Sequence, residues 1–217
     1  MRDEIGGAQR ALTFKKPAGA KRVYFDTSNL TAEVNTVKVT PVPTVDASFE
    51  AHCTPPDVAL RMAQYLGSEE DSILLEPSCG TGNLVAACIA QGFDPKIITA
   101  VEITYQLTNY FNERFESKHL QCYQSSLEEY FEEFIILDPF KFDKIITNPP
   151  FRKIKRHMQM LEILLSADGV MVALVPQSFK YEGRGCYEEL ENLGPNTFPT
   201  CKVYAKIVRI TKSPLYV

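Results

Sequence analysis

From residue 53 onward, short apolar runs alternate with amphipathic stretches of helical period. That alternation constrains the fold more than any other feature. Strand–helix repetition at this spacing implies an α/β domain with a mostly parallel central sheet and helices on both faces. Thr54-Pro55-Pro56-Asp57 reads as a helix start, with Thr54 as N-cap, Pro55 at the first helical position and Asp57 at the positive helix end. That helix runs to about Leu66 and stops at Gly67. Ile73–Leu75, Ile97–Val101, His119–Tyr123 and Lys144–Thr147 read as strands. Gly82–Ala90, Tyr105–Phe115, Ser126–Phe134 and Met158–Ser166 read as helices. The unbroken apolar run Val170–Val175 reads as a central strand buried on both faces. Lys202–Ile210 alternates, as an edge or antiparallel strand would. Residues 1–45 break the pattern: Gly6-Gly7, Pro17 and Gly19 loosen the start, and Arg22–Asp26 and Glu33–Val42 alternate like a hairpin. The expected organisation is an N-terminal arm or hairpin at 1–45 and one domain over 46–217.

Composition excludes some functions. With 45% hydrophobic residues the chain buries a full core. No apolar stretch is long enough to cross a membrane, and Met1-Arg2-Asp3-Glu4 opens no signal peptide, so a cytoplasmic location is expected. The six cysteines form no CxxC pair and no Cys/His ligand cluster; they read as reduced thiols, with no metal site. Net charge is −4, but its distribution is uneven: residues 1–22 carry +4, 23–138 carry −13 and 139–217 carry +5. Phosphate contacts need clustered Lys/Arg, not a basic total.

Three segments carry chemistry. Glu76-Pro77-Ser78-Cys79-Gly80-Thr81-Gly82-Asn83 follows a buried strand and opens a helix. Gly80 and Gly82 let the backbone pass close beneath a ligand, and the helix start offers free N–H donors. The turn is neither Gly-x-Gly-x-x-Gly nor a phosphate loop, and Glu76 at its head disfavours a pyrophosphate; a zwitterion or sulfonium suits it better. Glu102 closes the next strand, where an acid can accept hydrogen bonds from two ribose hydroxyls. The third segment, Asp143–Phe151, ends a strand in Asn148-Pro149-Pro150-Phe151. Pro149 stops the ladder and biases Asn148 toward extended backbone. The amide of Asn148 and the carbonyl of Pro149 can accept hydrogen bonds from a planar amine, and Phe151 can stack on the ring that bears it. Taken alone, such a corner is also compatible with an ordinary turn.

In this order the three segments resemble the amino-methyltransferases that use S-adenosylmethionine (SAM), especially the N6-adenine DNA methyltransferases of gamma motif order, including solitary enzymes of phage or plasmid type. Phe49–Leu66, with Cys53-Thr54-Pro55, resembles the family's N-terminal cofactor motif, and Val170–Pro176 and Lys202–Ile210 its later strands. The likeness covers about residues 49–212 and implies a Rossmann-like class I methyltransferase fold. It implies that Thr54, Glu76, Ser78, Cys79, Gly80, Gly82, Glu102, Ile103, Ser125 and Asn148 form the cofactor site, with Glu102 on the ribose and Ile103 on the cofactor adenine. It implies that Asn148, Pro149, Pro150 and Phe151 hold the target base. Two departures stand out. Gln124-Ser125-Ser126-Leu127 supplies hydroxyls where the family often has an acid, and no separate target-recognition domain is visible.

The chemistry follows from the residues. An aromatic amine is a poor nucleophile, and two fixed acceptors favour a pyramidal nitrogen and stabilise its growing positive charge. No strong base is required before attack, so His52, His119 and His157 read as structural or surface groups. A base in duplex DNA would have to be flipped out. Arg152, Lys153, Lys155 and Arg156 follow the corner, and Lys180 and Arg184 lie in 177–200, so these six are the expected nucleic-acid contacts. The expected reaction is methyl transfer from SAM to N6 of adenine in DNA. The alternatives are an RNA N6-adenine or protein-glutamine methyltransferase, or a SAM-binding subunit that needs a partner.

Overall fold

The computed structural model describes residues 43, 53–67, 71–137, 141–198 and 202–212. The arm or hairpin expected over 1–45 lies outside the described residues, Pro43 apart. Seven strands form one sheet: β1 Leu74–Glu76, β2 Ile98–Glu102, β3 Cys122–Gln124, β4 Phe142–Thr147, β5 Leu165–Pro176, β6 Cys186–Leu193 and β7 Ala205–Thr211. Their order is β3-β2-β1-β4-β5-β7-β6. β3, β2, β1, β4 and β5 are parallel neighbours, and β7 runs antiparallel between β5 and β6. This is the expected Rossmann-like class I methyltransferase architecture. The strand order reverses between β1 and β4. Connections there leave to opposite sides and open a crevice at the strands' carboxyl ends.

Among the described residues, five α-helices cover the sheet: α1 Pro56–Leu66, α2 Asn83–Ala90, α3 Tyr105–Phe115, α4 Leu127–Leu137 and α5 Ile154–Leu164. In α1 the apolar residues recur on one stripe, so Val58, Ala59, Met62, Ala63 and Leu66 are all buried. That stripe shares a core with Leu84 and Val85 of α2 and with Phe111 and Phe115 of α3. A second core joins Leu127 of α4 and Met158, Leu161 and Leu164 of α5 to the other face. Each fully buried Leu, Phe or Met contributes about 1.5–3 kcal/mol over exposure. The two cores pack the helices onto opposite faces of the sheet below the crevice.

Three elements differ from the sequence reading. The N-cap of α1 is Pro55 rather than Thr54, because Pro56 occupies the first helical position and Pro55 is held extended at φ −57°, ψ 143°. α5 begins at Ile154, four residues early, so Lys155 and Arg156 lie in its first turn. Residues 177–200 contain β6, whose Glu188, Glu189 and Glu191 are poor strand formers. Cross-strand partners override that propensity: Glu188 pairs with Arg209, Glu189 with Lys206, and Glu191 with Arg61 of α1. β7 is consequently interior, with β6 as the charged edge.

Candidate active site

The glycine turn is fixed from both sides. The Cys79 N–H donates to the Val101 carbonyl of β2 at 2.9 Å, and the Gly82 N–H donates to the Cys79 carbonyl at 2.7 Å. Gly80 and Gly82 have φ of +51° and +80°, where side chains are strained. A Cβ on Gly82 would also sit 2.5 Å from a ring carbon of Phe115 and 2.9 Å from one of Phe111. Gly82 therefore serves close packing of α2 on α3, whereas Gly80 lies on the wall of a cavity of about 300 Å³.

Glu102 braces this turn. Its Oε2 accepts the Gly80 N–H at 2.9 Å and its Oε1 accepts the Thr104 N–H at 2.8 Å. The side chain is buried yet reaches the cavity wall, beside the half-exposed Ile103. Glu76 sits lower. It is fully buried, its Oε1 accepts the Ser78 N–H at 3.0 Å, and its Oε2 has no partner among the described residues. Burial pushes its carboxyl well above the ordinary range against the pull of the Ser78 N–H, and the nearby Glu102 charge adds to the rise.

Thr54, relieved of capping, becomes a crossing point. Its carbonyl accepts from the Asn83 side chain at 2.8 Å, and its hydroxyl accepts from the Asn148 amide at 3.1 Å. Asn83 is in turn held by Arg114 at 2.8 Å, and the same guanidinium donates to the Thr81 carbonyl at 2.5 Å. The glycine turn, the start of α1 and the Asn-Pro-Pro-Phe corner thus form one hydrogen-bonded unit.

Of the residues singled out from sequence, Thr54, Ser78, Cys79, Gly80, Glu102, Ile103, Ser125, Asn148, Pro150, Arg152 and Lys153 meet on the cavity wall. Glu76 lies beneath the turn and Gly82 behind it. Pro149 is buried, and Phe151 is half-buried with its ring packed against the core. Lys155, Arg156, Lys180 and Arg184 are exposed outside the cavity. Two of the basic residues already face acids: Lys153 pairs with Glu128 and Lys155 with Glu182, each at 2.8 Å.

Ser125 donates to the Ser126 carbonyl at 3.1 Å. Ser126 and Glu129 form a capping box for α4, with the Glu129 N–H on the Ser126 hydroxyl and the Ser126 N–H on the Glu129 carboxylate. Sequence reading missed several wall residues, among them the ionisable Glu128 and His157. Glu128 was hidden in an acidic helix, and His157 was placed outside α5 by the late helix start. Burial opposes the Glu128 charge, but the Lys153 ammonium and the carboxylate's own backbone hydrogen bond outweigh it and hold its carboxyl down at about 2. Cys79 and Cys122 touch through sulfur at 3.3 Å, and burial pushes the Cys79 thiol well up, so it stays protonated.

The model of one family, the methyltransferase small domain, matches residues 60–173. The chain belongs to the methyltransferase small domain family. Its strand order is that of known methyltransferases. A methyltransferase subunit of a type I restriction-modification system from Streptococcus thermophilus superposes with a TM-score of 0.63 at 16% identity, over 75% of this chain and 45% of that one. A putative RNA methyltransferase from Pyrococcus horikoshii gives 0.58 at 16% identity, over 83% and 94%. An O-methyltransferase from Bacillus cereus in complex with SAH gives 0.60 at 11%, over 76% and 86%. This chain therefore spans less than half the length of the Streptococcus subunit. No curated sequence matches it.

The cofactor of this methyltransferase small domain chain is S-adenosylmethionine. The site fits it. The cavity volume is at the lower end of the roughly 300–1,000 Å³ usual for small-molecule pockets. Gly80 leaves open space where a Cβ would stand, Glu102 offers an acid at the end of β2, and the wall is part apolar. Among the described residues there is no metal-ligating cluster, and no helix is long and apolar enough to cross a membrane.

Proposed function

We propose that this chain methylates the exocyclic N6 amine of adenine in DNA, using SAM. The observation that carries the reading is the shared cavity: Asn148 lies on the same wall as Gly80 and Glu102, and its amide is fixed to Thr54. Bound SAM supplies an electrophilic methyl group. Glu102 holds the ribose hydroxyls, Ile103 packs on the cofactor adenine, and the turn from Ser78 to Gly80 cradles the amino-acid end. Thr54 lies between that end and the target corner. Asn148 and the carbonyl of Pro149 accept hydrogen bonds from the target amine and stabilise charge growing on its nitrogen. Phe151 turns from its core contact to stack on a flipped base. Arg152, Lys153, Lys155, Arg156, Lys180 and Arg184 hold backbone phosphates, with Lys153 and Lys155 leaving Glu128 and Glu182 to do so.

An RNA adenine is the second reading. Its support is the span of the Pyrococcus protein, a putative RNA methyltransferase matched over nearly its whole length. Isotope-labelled SAM offered with duplex DNA, RNA and protein, followed by nucleoside analysis, separates the two. N6-methyladenine in DNA supports the first; label confined to RNA transfers the site to the second; label confined to glutamine in protein sinks both.

A further inference from the structure

His157 lies in the first turn of α5 with 4% exposure, on the wall of the same cavity as Asn148 and Pro150. Among the described residues, neither of its ring nitrogens makes a well-formed hydrogen bond. Buried imidazoles that only fill a core are almost always hydrogen-bonded, so a ring with no well-formed hydrogen bond on a cavity wall is open to a ligand. Its Nε2 is 3.4 Å from Oε1 of Glu128 on α4, an ion-pair distance. The charged groups facing the ring are Glu128, Lys153 from the corner and Arg156 from α5 itself. Burial holds the imidazole below its ordinary value against the pull of Glu128, and Lys153 and Arg156 lower it further. The ring is therefore neutral at neutral pH and able to accept a proton, beside a carboxylate that stays charged.

Resting on the N6-adenine reading, we propose that His157 is a further catalytic residue: it takes the proton that the target amine sheds on methylation, and Glu128 stabilises the imidazolium. The lone pair of the amine nitrogen forms the new N–C bond. The S–C bond breaks with its electrons left on sulfur, which becomes a neutral thioether. The nitrogen, now cationic, passes one N–H proton to a ring nitrogen of His157. What remains is a neutral methylated amine and an imidazolium against Glu128, and the imidazolium returns its proton to water once product leaves. Asn148 and the Pro149 carbonyl accept hydrogen bonds but cannot carry that proton away.

Three histidines make the test direct. Nitrogen-15 histidine labelling follows the His157 ring through a pH titration of the free protein, and single-turnover methylation is measured over the same range. In the wild type the rate should fall on the acid side with the midpoint at which the His157 ring titrates. Glu128→Gln should move both midpoints together to lower pH. His157→Gln should lose that limb and slow transfer about 100-fold, with SAM affinity by calorimetry unchanged within about threefold. A His157→Gln protein with wild-type rate and acid limb overturns the proposal. If that variant does not fold, ring and rate midpoints that fail to move together in Glu128→Gln overturn it instead. A wild-type protein that methylates no adenine fells the N6 reading, and this step with it.

Discussion

The amide of Asn148 donates to the hydroxyl of Thr54 at 3.1 Å across 94 residues of sequence. The bond ties the corner proposed to hold the target to the segment beside the cofactor turn. Under the proposed function, Thr54→Val keeps the shape of the side chain and removes this bond. Loss of one such bond costs about 1 kcal/mol of stability, so the melting temperature should fall by about 2–4 °C, and single-turnover methylation should slow about fivefold if the bond also positions the amide in the transition state. Asn148→Ala removes an acceptor used in the transition state and should cost on the order of 3 kcal/mol, about 100-fold in rate. Calorimetry that found SAM binding lost and turnover kept in Asn148→Ala would refute this assignment.

Glu102 braces the glycine turn, and under the proposed function it also binds the ribose. Read from its position at a strand end, it is a ribose acceptor; in the structure both oxygens also anchor N–H groups, those of Gly80 and Thr104. Glu102→Ala should therefore weaken SAM by roughly 1.5–3 kcal/mol through the ribose and also loosen the turn. Glu102→Gln keeps one acceptor oxygen and should fall between. An alanine variant with an unchanged SAM dissociation constant would mean that the acid only braces the turn.

The sheet and most helices were legible because their apolar periods are long and bounded by Gly and Pro. Val170–Val175 needed no context to read as a central strand. What escaped was set by distant partners. β6 is acidic and strand-poor in its own sequence, and it is held by Arg61, Lys206 and Arg209. Thr54 carried a cap signature, but two prolines after it shifted the helix start and released its hydroxyl to Asn148. The cavity wall was legible where motifs mark it and invisible at Glu128 and His157, which reach it only through the packing of α4 and α5.

The two glycines of the turn should respond differently to alanine. At Gly80 the added methyl meets nothing within 4 Å, so the cost is left-handed strain, about 1–2 kcal/mol. At Gly82 the same strain is joined by a 2.5 Å contact with Phe115 and another with Phe111. Gly82→Ala should lose about 1–3 kcal/mol more than Gly80→Ala in urea unfolding. Equal losses would mean that the phenyl rings of α3 yield without resistance.

Glu76 should make stability depend on pH. Unfolded, its carboxyl ionises in the ordinary range; folded, burial keeps the proton on to higher pH. Above the ordinary carboxylate range the native state then binds more protons than the unfolded one, so this group's contribution falls as pH rises toward the folded value. Glu76→Gln imitates the protonated acid, since its carbonyl can still accept the Ser78 N–H now held at 3.0 Å. The variant should melt with the wild type near about pH 4 and above it near about pH 8, with the gap widening between. Melting curves that stay parallel across that range would show that Glu76 is ionised in the fold, with its unpartnered oxygen met by a group outside the described residues.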